Sequence, residues 1–487
     1  MAANFIREKM ETPHLYLISV ILSLFLVSII AILYLPPQFT ELTRFTISTL
    51  EYSVPLEQLR TKVSGDRNQL RAVSFRKDGD HLHRSKARNR TATRIVKKLS
   101  REKMLEEGLA RARASIRSIA VSNHSSVISH SDDYIPAGVV YRNPRLFYRS
   151  YLEMEKRFKL YVYPDGDLPI THDGPCKDIY SIEGRFIHEL EHGDGRFRTN
   201  DAHGAHIFFL PFSVTWMVKY FYTTKIYDVS PLKRFVSDYV RVISTRYPFW
   251  NRSQGADHFM LTCHDWGPFA SQGNALLFNK SIRVLCNANT SEGFDPRKDV
   301  SLPEIHLYGG IVNPKLLSSP SDNALRPNLA FFAGGLHGPI RSVLLDQWKD
   351  RDNDIRVYQY LPKDLDYYSL MLNSKFCLCP SGYEVASPRL VEAIYAECVP
   401  VILSKYYVLP FSDVLRWEAF SVEVDVSDIP RLKEVLSAIP ESQYRKLKEG
   451  VRAVRRHFTL NHPAKRYDVF HMILHSIWLR RLNFRLG

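Results

Sequence analysis

Ser381, Gly382, Ser387, Arg389 and Glu392 follow one another in an order that suits phosphate chemistry. Ser387 can cap a helix in which Arg389 and Glu392 lie one turn apart. The free N–H groups at such a helix start bind phosphate, and Arg389 can pair with a pyrophosphate. Glu392 can accept two hydrogen bonds from the diol of a ribose. The alternative is a surface ion pair between Arg389 and Glu392.

The residues around this loop predict a strand–helix–strand unit. Phe376–Cys379 and Cys398–Leu403 are apolar runs, and residues 388–396 repeat apolar side chains at helical spacing. Parallel strands joined in this way form a right-handed crossover. Ligands of open α/β sheets bind beyond the carboxyl ends of the strands, and the loop lies at such an end.

A second loop of similar character precedes Arg341. Gly334, Gly335 and Gly338 follow an apolar run and would let the backbone approach a ligand closely. Arg341 opens the next helix, from which it could hold a diphosphate. Alternatively, the segment is only a glycine-rich turn with a surface arginine.

Strand-like and helix-like segments alternate in two sets along most of the chain. This alternation indicates parallel sheets that are covered on both faces. We therefore predict an α/β protein with two doubly wound, Rossmann-like domains that face a cleft. The predicted strands are residues 159–163, 206–212 and 258–263 in the first set, and 328–333, 355–358, 375–379 and 399–403 in the second.

Several strings in the second set resemble the nucleotide-sugar half of the exostosin-type glycosyltransferases, with the plant cell-wall branch as the best fit: SKFCLCPSG, SPRLVEAI, ECVPVILS and LPFSDVLRW. NPRLFYRSYLEMEKRFKLYVYP, GRFIHEL, HIFFLPF, DHFMLTCHDWGP and DVSLPE fit the same family, so the resemblance spans roughly residues 140–475. It implies the GT-B architecture and a phosphate contact at Arg341. The implied domains are an acceptor side over residues 136–318, a donor side over 319–463, and a helix in 464–487 that packs back on the first domain.

Inverting glycosyl transfer, which the resemblance implies, needs a base that takes the proton of an acceptor hydroxyl. Asp265 and His264 end a first-domain strand and are the candidates. The alternative is an aspartate that caps the next helix beside a packed histidine. Asp299 and Glu304 are rival bases, and Glu384 could contact the donor sugar.

Asp165 and Asp167 flank a glycine after a predicted strand, as in the Asp-x-Asp motif with which some glycosyltransferases bind manganese. The same residues also form a plain turn, and Asp-x-Asp occurs five times in this chain. His203 and His206 have metal-like spacing, but no third ligand is close in sequence. We therefore predict neither a metal nor another cofactor.

The formal net charge of +15 is concentrated in one segment. Residues 60–117 contain 18 Lys and Arg against 6 Asp and Glu, which leaves about +3 for the remaining chain. A nucleic-acid-binding protein carries its charge on a folded face or groove. We therefore expect no nucleic-acid partner.

Residues 15–35 form an uncharged apolar run long enough to cross a bilayer. A cleaved signal peptide is the alternative, but its apolar core would be shorter and followed by small residues. We predict a cytosolic tail over 1–14, a signal anchor over 15–35 and a basic stem over 36–135. A helix near 93–117 of the stem either self-associates into an oligomer or is simply solvated.

Luminal chemistry is possible at several positions beyond the predicted anchor. An even cysteine count permits disulfides, although Cys377 and Cys379 could also be plain buried apolar residues. Sequons for N-glycosylation lie at Asn89, Asn123, Asn251, Asn279 and Asn289.

Taken with the resemblance, these features predict a type II Golgi membrane glycosyltransferase. It would move a sugar from a nucleotide-diphosphate donor, expected to be UDP-linked, to a cell-wall polysaccharide or a glycoprotein glycan with inversion. The alternative is a non-catalytic Golgi partner that anchors or stabilises an active polysaccharide synthase.

Overall fold

The computed structural model describes residues 101–120, 134–223, 226, 228–317 and 325–485. All of these belong to one of two compact units, Leu82–Gly487. The predicted anchor over 15–35, most of the predicted stem and the sequons at Asn89 and Asn123 lie outside the described residues. Within the described ranges, no helix is both long and apolar enough to cross a membrane.

The first half of the unit is built on a parallel sheet of five strands. Alternate residues of its second strand pack on opposite faces: Ile207 and Phe209 join one apolar cluster, and Phe208 joins another. Both faces are therefore covered, as the near-continuous apolar strands predict. The strands are β1 Leu160–Val162, β2 Ile207–Phe209, β3 His258–Thr262, β4 Ile282–Leu285 and β5 Val300–Ser301.

The strand order in this first sheet is β1-β2-β3-β4-β5. Every connection steps to the neighbouring position in the same direction, so no strand is a switch point from which the chain winds both ways. The prediction of a doubly wound sheet is therefore wrong for the first half, although the parallel α/β architecture is confirmed.

The second half contains another parallel sheet of five strands, in the order β10-β9-β8-β6-β7. From β6 the chain first adds β7 on one side, and it then crosses back to add β8, β9 and β10 on the other side. This half is therefore doubly wound. The loops after β6 and β8 flank the reversal, where ligands of such sheets bind. The strands are β6 Asn328–Ala333, β7 Ile355–Tyr358, β8 Ser374–Pro380, β9 Val399–Leu403 and β10 Val422–Glu423.

Helices connect and cover the two sheets. Polar side chains begin several of them: Asn143, Ser213 and Asp468 each accept a hydrogen bond from a backbone N–H of the first turn. The helices are α1 (residues 101–120), α2 Pro144–Arg157, α3 Ser181–His192, α4 Val214–Phe221, α5 Ser230–Arg246, α6 Pro248–Ser253, α7 Gly267–Ser271, α8 Ala275–Asn279, α9 Gly338–Trp348, α10 Tyr367–Leu372, α11 Arg389–Tyr395, α12 Leu432–Ser437, α13 Glu441–Phe458 and α14 Val469–Asn483.

Helix α1 packs on the globular domain. Leu109 and Ala112 are fully buried, and Arg113 Nε donates to the carbonyl of Leu482 over 2.6 Å. Glu106 forms an ion pair with Arg481, which is itself buried. The expectation that this helix is only solvated is therefore wrong, because its apolar face lies against the domain.

Two disulfides join neighbouring strand regions, one in each half of the unit. Cys263 bonds Cys286 beyond the ends of β3 and β4, and Cys377 in β8 bonds Cys398 just before β9. Cys379 is free and buried. The interpretation as a plain apolar residue therefore holds for Cys379 and is wrong for Cys377.

Candidate active site

The loops after β6 and β8 contact each other closely at the switch point of the second sheet. Gly338 has a φ of +75°, and a Cβ there would lie 2.2 Å from the carbonyl oxygen of Gly382. A Cβ on Gly382 would lie 3.3 Å from the guanidinium of Arg341. Glycine is therefore required at Gly338, and Arg341 is placed beside the second loop. Ser381 donates to Ser404 over 2.6 Å, which holds that loop to the end of β9.

Arg389 is buried beneath this loop, at 8% exposure. Its guanidinium donates to the carbonyl of Ala333 over 2.9 Å and lies 4.6 Å from the ring centre of Phe332. Ser387 Oγ accepts the backbone N–H of Arg389 over 3.4 Å. Because Arg389 and Glu392 are both buried, the alternative of a surface ion pair is wrong.

Glu392 is held by two tyrosines. One carboxylate oxygen accepts from Tyr367 over 3.0 Å, and the other accepts from Tyr368 over 3.3 Å. Burial raises the pKa of Glu392, while Arg389 and the tyrosine hydroxyls oppose that rise. Each carboxylate oxygen keeps one further lone pair, so contact with a diol remains chemically possible.

A cluster of carboxylates lies near the two arginines, with three members from the first half of the unit and one from the second. Asn287, which follows β4, joins three of its members through one amide nitrogen. It donates to the backbone carbonyl of Asp265 over 3.0 Å, to Glu292 over 3.0 Å and to Glu384 over 2.6 Å. Because Glu384 belongs to the loop after β8, Asn287 connects the two halves at the site. We call Asp265, Glu292, Glu304 and Glu384 the carboxylate cluster.

Burial and nearby charges raise the pKa values of three of these carboxylates, those of Asp265, Glu304 and Glu384. Burial, with the nearby charges of Glu292 and Asp265, raises the pKa of Glu384 to about 8. Burial also raises the pKa of Asp265, although a hydrogen bond from Tyr180 opposes it. Burial and the charge of Asp265 raise the pKa of Glu304 well above its usual value, while Arg341 and Arg389 oppose this rise. Such shifted carboxylates are typical of catalytic sites.

His264 lies beside the cluster but is poorly suited to the predicted role of base. Its Nδ1 accepts the backbone N–H of Trp266 over 3.1 Å, so the neutral ring carries its proton on Nε2. Burial lowers the pKa of His264 to about 4. The ring is therefore a neutral hydrogen-bond donor, which does not suit the predicted role of base, and Asp265 is the other predicted candidate.

The rival base Asp299 has a structural role instead. Its fully buried carboxylate pairs with Arg283, which is also fully buried, over 2.5 Å and with Lys298 over 2.6 Å. A carboxylate that neutralises a buried arginine is not free to accept a substrate proton. Glu304, at 4% exposure beside Asp265, is the rival that remains at the site.

The Asp-x-Asp turn and the histidine pair do not form a ligand set. Asp165 forms an ion pair with Arg246, and Asp167 is exposed. His206 Nδ1 accepts the backbone N–H of Lys159. Across the described part of the chain, no group of three or more His, Cys, Asp or Glu is arranged to hold a metal ion.

Three sequons fall within the described ranges. Asn251 and Asn279 are exposed at or near helix ends. Asn289 is 7% exposed, and its amide nitrogen donates to Glu292 over 3.0 Å. Burial and this hydrogen bond disfavour an N-glycan at Asn289 in the folded chain.

Sequence reasoning missed several side chains of the site: Tyr180, Asn287, Glu292, Tyr367 and Tyr368. Asn287 directly follows an apolar run, which is a signal that could have placed it at a strand end. The tyrosines carried no such signal, because they reach Asp265 and Glu392 only through the tertiary fold.

Comparisons with known proteins agree with this architecture. The Exostosin GT47 domain matches residues 154–439 of the chain. A probable glycosyltransferase of Arabidopsis thaliana is 56% identical over 453 residues, which cover 92% of this chain and 93% of the relative. A probable glucuronoxylan glucuronosyltransferase of the same plant is 27% identical over 67% of this chain and 77% of its own length. A probable β-1,4-xylosyltransferase of that plant is 30% identical over 50% of this chain and 63% of its own.

Proposed function

The chain belongs to the exostosin GT47 family and is a glycosyltransferase, and from this premise we propose that it transfers a sugar from a UDP-linked donor with inversion at the anomeric carbon. The observation that supports this proposal is the meeting of two arginines with four carboxylates at one edge of both sheets. The arginines suit a diphosphate leaving group, and the carboxylates suit proton removal from an acceptor.

The donor would bind at the switch point of the second sheet. Arg341 and Arg389 would contact the diphosphate, with Ser381, Gly382 and Ser387 lining the loop beside it. Glu392 would use its free lone pairs for the ribose, and Glu384 would lie at the donor sugar. Arg389 is buried and Arg341 is half-buried, which strengthens their attraction for the developing charge of the leaving UDP.

Asp265 would act as the base. Its partly exposed carboxylate follows β3 and receives a hydrogen bond from Tyr180. A single displacement with inversion requires only that the acceptor hydroxyl attack the anomeric carbon while one base takes its proton and UDP leaves. A raised pKa makes Asp265 a stronger proton acceptor than an ordinary aspartate.

Transfer is proposed to be independent of a divalent metal. The charge of the leaving UDP is met by Arg341 and Arg389, so no carboxylate pair has to be reserved for an ion. Activity is therefore expected to persist in excess EDTA. Loss of transfer in EDTA that returns on addition of Mn²⁺ or Mg²⁺ would overturn this part of the proposal.

The proposed location is the Golgi membrane, as a single-pass type II protein anchored by residues 15–35 with its large domain luminal. The two disulfides support an oxidising compartment. An enzyme that removes N-glycans should shift the mobility of the membrane-bound protein. Protease added outside sealed vesicles should leave the large domain intact, and its digestion there would reverse the orientation.

The proposed acceptor is a plant cell-wall polysaccharide or a glycoprotein glycan. The relatives named as a glucuronoxylan glucuronosyltransferase and a β-1,4-xylosyltransferase support the polysaccharide. The test is a panel of UDP-sugars offered to the detergent-solubilised full-length protein, with release of UDP and elongation of glycans as readouts. Transfer from at least one UDP-sugar is expected. Tight UDP binding without turnover of any donor would instead favour a non-catalytic partner of a polysaccharide synthase.

A further inference from the structure

Four rings follow one another in tilted and edge-to-face contacts, with interplanar angles of 39°, 55° and 75°, starting beside the carboxylate cluster. The ring centres of Tyr180 and His264 lie 5.0 Å apart, those of His264 and Trp266 5.5 Å, and those of Trp266 and Tyr222 4.5 Å. Tyr180 and Asp265 are close enough to act on each other's pKa, so the inner end of the strip lies beside the proposed base. We call these four rings the aromatic strip.

The fold holds these rings at the carboxyl edge of the first sheet. His264 and Trp266 follow β3, and Tyr222 follows α4, which leads away from β2. Tyr180 precedes α3 with a φ of +67°, a conformation that bulky residues rarely adopt. Such backbone strain is typical of functional sites, because the surrounding structure must hold it in place.

The strip has the chemical character of a surface that binds uncharged sugars. All four residues are half-buried, so part of each remains accessible. Burial lowers the pKa of His264 to about 4 and raises the pKa of Tyr180, so neither is charged near neutral pH. Aromatic faces pack against the C–H face of a sugar ring, while the hydroxyl and N–H groups at their edges bond its hydroxyls.

We propose that the aromatic strip binds a neutral, chain-like glycan acceptor, with its reacting sugar beside Asp265 and its preceding units over Trp266 and Tyr222. This proposal rests on the proposed function, and it adds the class of acceptor. The ring spacing is of the order of one sugar unit, so an acceptor of several units contacts more rings than a single sugar does. Longer acceptors should therefore bind more tightly.

The test uses the full-length protein in detergent with neutral fragments of xylan, xyloglucan, mannan and galactan, each as a short and a long chain. Binding of the glycans and the KM for transfer are measured for the wild type, Trp266→Ala and Tyr222→Ala. Each variant is expected to raise the dissociation constant and KM of the long chain by about 3- to 10-fold. Tyr222→Phe keeps the ring and should stay near the wild type.

Matched measurements separate this inference from the proposed function. Tyr360→Ala removes a tyrosine that is 79% exposed in the second half and should have no effect. UDP affinity reports on the donor side and should be retained in both strip variants. If no neutral chain binds the wild type, or if short and long chains are weakened equally, the strip is not an acceptor track. If UDP binding itself fails in the wild type, the proposed function fails instead.

Discussion

The first sheet ends in carboxylates and aromatic rings, whereas the second ends in two arginines and a close pair of loops. Asp265 and Asn287 follow β3 and β4, and Arg341 and Arg389 flank the ends of β6 and β8. The sheets also differ in topology, because only the second reverses its strand order. The two arginines therefore lie at the switch point, where the topology opens a crevice.

The contrast indicates a division of labour. A parallel sheet without a reversal offers strand ends but no crevice of its own, so the first half contributes side chains to a site that the second half shapes. At the site itself the two halves are joined by a polar contact, in which Asn287 donates to Glu384. Changes on the two sides should therefore affect different steps of one reaction.

The largest effect on activity should come from a change in the first half of the unit. Asp265→Asn keeps the shape of the side chain but removes its ability to take a proton. Turnover is expected to fall by at least about 100-fold while the affinity for UDP stays close to that of the wild type. Initial rates and calorimetric titration with UDP would measure the two quantities.

Asp167→Asn is the matched control for this change, because Asp167 is an exposed aspartate just beyond β1 of the same sheet. It should leave turnover unchanged. A normal rate in Asp265→Asn would assign the base elsewhere, and Glu304→Gln would be measured next.

Arg341→Ala should produce an effect of intermediate size, and this effect should appear in the affinity for UDP, which Asp265→Asn leaves close to normal. Loss of a charge-assisted contact with the diphosphate is expected to weaken UDP binding by about 1.5–3 kcal/mol. Arg351, exposed just after α9, supplies the control Arg351→Ala, which should bind UDP normally. Unchanged UDP affinity in a folded Arg341→Ala protein would contradict the diphosphate role.

The smallest effect concerns the link between the halves. Folding raises the pKa of Glu384 to about 8 from an ordinary value near 4.5. The unfolded chain therefore loses this proton first, and the contribution of Glu384 to stability falls as the pH rises from about 4.5 to 8. Glu384→Gln cannot ionise, so its melting temperature should decline less over that range.

Glu423→Gln, at an exposed glutamate in β10, is the control for the pH series. Its melting profile should parallel that of the wild type. Identical pH dependence in Glu384→Gln and the wild type would show that Glu384 is not protonated at the link.

Sequence alone predicted the parallel α/β architecture and most of the donor loop. Apolar runs of four to six residues identify buried strands and the approximate position of their carboxyl ends without tertiary information. Strand order was not predictable in the first sheet, because periodicity reveals that a strand exists but not which neighbour it pairs with.

The contacts of the site were less predictable than its positions. Asp265 was found from its place after a strand, but the hydrogen bond from Tyr180 depends on a left-handed backbone that no local pattern announces. Asp299 and Asp265 look alike in sequence. Only the folded structure shows that the carboxylate of Asp299 forms an ion pair with Arg283.

Helix α14 is synthesised late but packs against residues of the first half, so the order of synthesis matters for folding. Trp478 packs against Phe158 with ring centres 5.3 Å apart, and Arg481 donates to the carbonyl of His206 over 2.6 Å. A ribosome that adds roughly 5–20 residues per second needs tens of seconds to travel between Phe158 and Trp478. Throughout that interval the nascent first half exposes the apolar surface that α14 later covers. Exposed apolar surface of this kind promotes aggregation, and we expect loss of α14 to leave the N-terminal sheet, far away in sequence, as the part that fails to fold.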